Sequence, residues 1–347
     1  MIAGFILALT LFCFSLSSVV ANDFAGANSY FLFAVNDDDR AAILDAMESA
    51  NMKVLRVFIT SVDEGTKGSS AVYVDDLELK AVGTYDDTIL GKIDSLAKEA
   101  STRGIKLIIA LHDRYALGTY SSDAYVTKYD LQSDASAFYT NADAVSDYDN
   151  RITHILNYQS PNFGKAWKDL SEVIFAFDIE NEAMGHLDVV APDWWCGRAQ
   201  TLRTVLGDST IQITTGGGVD LVSSVRADFF TCSDIDIVAL HSYNLDPFYL
   251  AYYTNLGKSL AVPSGKRLLF EEFGAEGSDK QGEISSAITT LISTGIPWAY
   301  WELSIPGQSS SSYEVWTDEP SWSTIKAGAL NTIEKGGESN WSEIDTD

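Results

Sequence analysis

Residues 173–177, Val-Ile-Phe-Ala-Phe, run without a break into Asp178-Ile179-Glu180-Asn181-Glu182. An apolar run this short suits a strand covered on both faces, as in a parallel sheet, and the carboxylates and amide at its end need a polar opening to sit in. The pattern recurs along the chain. Val54–Phe58 carries Arg56, Lys106–Leu111 delivers His112-Asp113-Arg114, and Ile211–Thr214 ends in Gly216-Gly217-Gly218. Ile235–Leu240 ends in His241-Ser242-Tyr243, Arg267–Phe270 in Glu271-Glu272-Phe273-Gly274, and Pro297–Tyr300 in Trp301. With Phe24–Phe33 as the first strand, this gives a series of short buried strands, each followed by room for a helix.

The helices are legible in places. Asn36 followed by Asp37-Asp38-Asp39 is an N-cap with an acidic first turn, predicting a helix to about Ala50. Ile89, Leu90, Ile93, Leu96, Ala97 and Ala100 recur at helical spacing before Gly104, and residues 193–206 suit a helix after the fourth strand. Ile284, Ala287, Ile288, Leu291 and Ile292 line one face of another, which Gly295 and Pro297 stop; Trp322–Glu334 forms a last one. The segment from Tyr115 to Asp149, rich in Tyr, Ser and Asp, reads as a long functional loop. The sum is a single-domain α/β protein, a (β/α)8 TIM barrel. A doubly wound open sheet would need a glycine-rich phosphate turn after the first strand, which Gly26 alone does not supply.

A formal charge of -26 argues against nucleic acid as a partner. The apolar run Ile2–Phe14, with Val19 and Ala21 at the spacing a signal peptidase accepts, predicts that residues 1–21 are a secretion signal and 22–347 the catalytic domain. The mature chain is expected to be extracellular, monomeric and free of the membrane. Cys13 leaves with the signal. Cys196 and Cys232 then remain in an oxidising compartment, where one disulfide is the simple inference and two buried thiols the alternative. Asn340-Trp341-Ser342 is a glycosylation sequon.

Under the barrel fold, Arg56, His112, Asn181, Glu182, His241, Tyr243, Glu272 and Trp301 converge at one mouth. Two carboxylates from opposite sides of a barrel are what glycosidic hydrolysis needs, one to protonate the leaving oxygen and one to meet the anomeric carbon. A guanidinium beside the nucleophile would keep it ionised, and a less compensated partner would keep its proton. Tyr243 and His241 can orient the carboxylates; Trp301 offers a flat face to a sugar ring. Singly, each residue has a plainer explanation in packing or solvation, and their joint placement is what tells against it.

Asn181-Glu182, His241-Ser242-Tyr243, Glu272-Phe273-Gly274 and Trp301, in this order and with Arg56 and His112, resemble glycoside hydrolase family 5 of clan A. The resemblance implies Glu182 as acid/base, Glu272 as nucleophile and Asn181 as the residue that holds a substrate 2-hydroxyl. Within the family, Phe24–Tyr30 followed by Asn36-Asp37-Asp38 is similar to the start of fungal endo-β-1,4-mannanases. The chain departs from those at Phe31, Phe58, His112-Asp113 and Ala183. The expected activity is therefore a secreted retaining β-glycosidase acting on a polysaccharide or oligosaccharide, most similar to an endo-mannanase, without metal or cofactor. A β-glucanase or exo-acting β-glycosidase of the same family is the near alternative. The distant ones are a glycan-binding barrel without activity, and a metal-dependent hydrolase using His112, Asp113 and His241.

Asp178, Glu180 and Glu271 are expected to be structural acceptors, with an extra sugar contact as a second use for Glu180. Since neighbouring residues on a strand point opposite ways, Glu271 should face the helices or a neighbouring strand if Glu272 faces the mouth. Tyr115, Tyr120 and Tyr125 either line the cleft or pack their segment against the barrel.

Overall fold

The computed structural model describes residues 23–118, 123–305, 312–335 and 341–344. The stretch expected to be a signal, residues 1–21, as well as Tyr120 and Asn340, lies outside them. In chain order the elements are β1 (Ala25–Asn28), α1 (Asp37–Ser49), β2 (Val54–Phe58), α2 (Thr88–Ser101), β3 (Lys106–Ala110), α3 (Ala124–Tyr129), α4 (Ser136–Thr140) and α5 (Ala142–Leu156). They continue through β4 (Ile174–Asp178), α6 (Trp194–Leu206), β5 (Gln212–Thr214), α7 (Leu221–Ser224), α8 (Ala227–Thr231), β6 (Ile237–Ser242) and α9 (Pro247–Ser264). The last are β7 (Arg267–Phe273), α10 (Lys280–Thr294), β8 (Trp298–Tyr300) and α11 (Pro320–Lys335). The strands close into a barrel in the order β1 to β8, and every neighbouring pair is parallel.

Three segments differ from the sequence reading. The first strand is short, because Phe31, Leu32 and Phe33 are all buried, and the chain coils through a 3-10 turn to hide consecutive side chains that a strand would point to alternate faces. The segment 115–149 is not one loop but includes α3, α4 and α5. Its Asp and Ser residues are caps and turns, with Asp123 accepting from the Tyr125 amide and Asn141 from those of Asp143 and Ala144. Its aromatics Phe138, Tyr139 and Tyr148 are buried against Trp194, and Tyr125 is buried against Phe138 and Tyr148. Helix α9 has no readable period because it is apolar on both sides, with Leu250 and Ala261 inside and Phe248, Tyr252 and Val262 exposed.

The lumen is filled in layers. Val54, Ile108, Ala176, Ile237 and Leu269 form its lower core with Phe24 and Phe175, and Trp341 and Ile344 close it from below. Trp341 meets Phe24 edge-on at 5.3 Å and lies under the Arg267 guanidinium at 4.3 Å. Truncating a buried tryptophan costs about 3–5 kcal/mol, so this short tail belongs to the core. Two residues further along their strands, at the next inward positions, stand Arg56, Asp178 and Glu271, and there the lumen turns from apolar to ionic. Outside the barrel, Cys196 on α6 and Cys232 just after α8 form the expected disulfide. Among the described residues no helix is long and apolar enough to cross a membrane.

Candidate active site

Arg56 is the floor of the site. Its Nε lies 2.7 Å from Asp178 and 3.3 Å from Glu271, its Nη2 donates to Asn181 at 2.9 Å, and its Nη1 contacts Glu272. One fully buried guanidinium thus ties β2 to β4 and β7. Burial opposes its charge, but Glu271, Asp178 and Glu272 together hold it firmly protonated. The three acids do not share it equally. Burial and the charge of Glu271 push Asp178 up to about 7. Glu271 is also buried, yet it is held below the usual carboxylate range by Arg56 and His241.

Strict alternation would send Glu271 and Glu272 to opposite faces, and the structure does not. Between β6 and β7 the register runs Leu240 with Phe270 but then His241 with Glu272, so β7 carries an extra residue there. Glu271 follows Leu269 into the lumen, contrary to the expectation that it faces the helices or a neighbouring strand. The irregularity turns Glu272 inward as well, one level higher. His241 stands between: its Nε2 is 3.2 Å from Glu271, and its Nδ1 is 2.9 Å from Glu182 and 3.6 Å from Glu272. Burial opposes its charge, but Glu272, Glu182 and Glu271 push this imidazole up to about 10.

Glu182 reaches the mouth through a left-handed backbone, φ 47°, unusual for a residue with a side chain. Its amide is held by the Gly216 carbonyl at 2.9 Å. The glycines after β5 permit this: a Cβ on Gly216 would lie 2.0 Å from the Glu180 carbonyl, and one on Gly217 2.3 Å from the His241 ring. One Glu182 oxygen meets His241, and the other accepts from the Tyr115 hydroxyl at 2.6 Å. Tyr115 in turn lies 3.2 Å from His186 Nε2. Tyr243 donates to Glu272 at 3.0 Å. One acceptor or donor atom each from Glu182, His241 and Glu272 falls within 4.8 Å of the other two. That trio has the spacing of a metal site, but both ring nitrogens of His241 are already engaged, Nδ1 by Glu182 at 2.9 Å and Nε2 by Glu271 at 3.2 Å. The alternative set fails too, since His112 and His241 face different acids.

The carboxyl pair does not titrate as the sequence suggests. Burial pushes Glu272 up despite His241 and Arg56, and the charge of Glu182 adds to the rise. Burial also opposes ionisation of Glu182, yet hydrogen bonds from His241 and Tyr115 hold it low. Glu182 is therefore the better compensated acid of the two. Arg56 does not prevent this because its charge is divided among three carboxylates.

The cleft above holds about 790 Å³ and is walled by Tyr30, Phe58, Lys67, Asp113, Tyr115 and Trp301, with Asn181, Glu182, Tyr243 and Glu272 on its floor. The Tyr30 and Trp301 rings lie parallel at 5.8 Å. A sequence profile described as "Cellulase (glycosyl hydrolase family 5)" matches residues 19–307, well over half of the chain. The chain belongs to glycoside hydrolase family 5.

This family 5 enzyme is thus a glycosidase hydrolysing O-glycosyl bonds. It is 26% identical to mannan endo-1,4-beta-mannosidase F of Aspergillus fumigatus over 344 residues, covering 89% of this chain and 74% of that one. It is 27% identical to mannan endo-1,4-beta-mannosidase A of Podospora anserina over 325 residues, covering 85% and 78%. In fold it is similar to the endo-1,4-beta-mannanase of Rhizomucor miehei, with a TM-score of 0.70, 18% identity and coverage of 90% and 95%. The endo-beta-1,4-mannanase of Thermotoga petrophila gives 0.71, 15%, 90% and 77%.

Of the residues expected at the mouth of the family 5 barrel, all but His112 gather there. His112 is fully buried behind it, bracketed by Glu180 at 2.8 Å and Asp123 at 3.0 Å and stacked on Phe138. Burial opposes its charge, but those two acids push it up to about 10. Only its carbonyl serves the site, accepting from the Asn181 amide at 2.9 Å. Glu180, whose other oxygen accepts from Tyr139 at 2.9 Å, is therefore the counter-ion of His112, too deep to touch a sugar. Tyr125 is likewise buried, on Glu78, whereas Tyr115 lines the cleft. Lys67 and His186 carry no motif and escape sequence reasoning, and Tyr30, though it closes the Phe24–Tyr30 stretch, is not singled out by it for the cleft. Asn28, which donates to the Glu271 carbonyl at 2.9 Å, had a signal in being the polar residue that ends β1.

Proposed function

We propose that this enzyme is a secreted, retaining endo-β-1,4-mannanase in which Glu272 is the nucleophile and Glu182 the acid/base. The observation that supports the mechanism is the closeness of Glu182 and Glu272, which each bring one carboxylate oxygen within 4.8 Å of the other. Retaining enzymes hold their carboxyls about 5–5.5 Å apart, whereas inverting ones leave about 6.5–9.5 Å for a water. Glu272, oriented by Arg56 and Tyr243, attacks the anomeric carbon while Glu182 gives a proton to the leaving oxygen. Glu182 then takes a proton from the water that releases the glycosyl-enzyme.

An arriving glycan changes the surroundings of Glu182. Displacing the half-exposed Tyr115 hydroxyl and excluding water removes a donor from Glu182 and raises its affinity for the proton it must donate. Asn181, fixed by Arg56 and by Asp113 at 2.9 Å, presents its amide to the sugar bound at the nucleophile. Trp301 and Tyr30 supply flat walls for the ring faces. Mannan is supported by the names of the relatives, and extracellular action by the leader-like residues 1–21. The test is a panel of mannan, glucomannan, xylan and β-glucans, with products sized and their anomeric configuration followed by NMR. Internal cleavage of mannan with the β-anomer released first is expected. Release of the α-anomer first would overturn the mechanism; activity on β-glucans with none on mannan would overturn the substrate.

A further inference from the structure

A second depression of about 760 Å³ lies between the segment entering α2 and the outer face of α5, and none of its lining residues is shared with the catalytic cleft. Asp147, Asn150, His154 and Asn157 sit at helical spacing along one stripe of α5, facing Tyr85 and Asp87 from the α2 side. We propose that this groove is a second saccharide-binding site, which holds a neutral stretch of the same polysaccharide away from the catalytic centre.

The charges in the groove are already answered from within. Asp87 lies 2.6 Å from His154 Nε2, and Asp147 is bonded by Lys128 and Tyr129. The groups left over are neutral. Among the described residues, the Asn150 amide and the Tyr85 and Tyr158 hydroxyls have no hydrogen-bond partner, and Asn157 spends its side-chain nitrogen on Thr153 while its side-chain oxygen has none. Amide and phenol groups complement hydroxyls, which both donate and accept, and phenol rings complement the C–H face of a pyranose. The rings are also fixed beforehand. Tyr85 stacks on His154 at 3.9 Å and 15°, with Asp87 holding the imidazole, and Tyr158 packs edge-on to Trp167 at 5.3 Å. Little side-chain freedom remains to be lost on binding. Among the described residues no Lys or Arg lines the groove to draw an anionic ligand.

The reading takes from the proposed function only that the partner is a polymer. Occupying the groove and the cleft with one chain, or with neighbouring chains of one particle, would raise the effective concentration of substrate at the cleft. The experiment is native electrophoresis through gels containing mannan, glucomannan, xylan or β-1,3-glucan, comparing the Glu272→Ala protein with the same protein also carrying Tyr85→Ala or Asn150→Ala. Hydrolysis by the corresponding single variants is measured on polymer and on a tetrasaccharide. Expected is a loss of retardation of about threefold or more in the polymer that the wild type cleaves, and a similar loss on insoluble polymer. The tetrasaccharide kcat/KM should stay within about 1.5-fold, because four sugars are too few to engage a remote site. Asn150 is exposed and unpartnered, so if Tyr85→Ala lowers the melting temperature, Asn150→Ala decides alone. Unchanged retardation in every gel, or a parallel fall on the tetrasaccharide, would overturn the proposal. Because cleavage and retardation are read separately, a substrate other than mannan would sink the mannanase reading and leave this one standing.

Discussion

Two acidic pairs end two strands of this barrel, and they behave in opposite ways. At β7, Glu271 and Glu272 are neighbours that alternation should separate, yet both reach Arg56 and His241. After β4, Glu180 and Glu182 are two apart and should share a face, yet Glu180 turns back to His112 while Glu182 enters the cleft. In both places the backbone leaves strand geometry, by an extra residue in β7 and by the left-handed turn at Glu182. Side-chain direction is thus governed by period two within a strand and by local irregularity at its end. The end is where the chemistry lies.

The largest effect should separate the β7 pair. Glu272→Ala is expected to lower turnover by about 10⁴-fold or more with the fold intact, and added azide should restore part of it as a glycosyl azide of inverted configuration. Glu271→Ala should cost far less activity, on the order of 10–100-fold, because it disturbs the sharing of Arg56 rather than removing the attacking atom. Azide should not rescue it. If the azide product appears with Glu271→Ala instead, the assignment within this pair is reversed.

The second experiment contrasts the β4 pair. Glu180→Ala leaves His112 buried with one counter-ion fewer and should destabilise the fold by about 2–4 kcal/mol, read by denaturant unfolding. Its kinetic parameters at low temperature should move little. Glu182→Ala should do the reverse, keeping stability and losing poor leaving groups while still cleaving activated aryl glycosides. A Glu180→Ala protein with native stability and lost activity would remove the division between the two.

The smallest effect tests the charge balance. The Tyr115 hydroxyl favours the ionised form of Glu182, so Tyr115→Phe should raise the pKa of an acid that must be protonated to act. The alkaline limb of the kcat/KM profile therefore moves to higher pH, with a change of less than about tenfold at the optimum. The acid limb, which follows ionisation of Glu272, should stay in place. In the wild type the two limbs should lie close together, because burial raises Glu272 while hydrogen bonds lower Glu182. An alkaline limb unmoved by Tyr115→Phe would show that this hydroxyl does not act on the acid.

What the sequence made legible follows from the same contrast. Val54, Ala176 and Leu269 could be read as inward-facing strand residues because the barrel interior enforces apolar runs, and the strand-end polar residues stood out against them. The bulge in β7 left no mark, since an extra glutamate beside a glutamate alters neither composition nor period. His112 was misplaced for a related reason: a histidine just past a strand looks the same whether it turns to the mouth or to the helices. The deciding partners, Asp123 and Glu180, come from different turns of the fold. The tyrosine-rich segment hid its helices because α3 and α4 are only 6 and 5 residues long, too short for a period to repeat.

The stack of Phe24, Phe175 and Trp341 beneath the lumen means that the barrel is clasped by residues from near the beginning, the middle and the end of the described chain. The ribosome releases these in order, so the first strand is made long before the ring that seals it. Until Trp341 emerges, the lower lumen stays open to water, and the Arg267 side chain lacks both that ring and its partner Glu343, 2.9 Å away. Final closure is therefore an event of the whole described chain rather than of its earlier elements, and a nascent chain stalled in its last helix would still carry an unsealed barrel.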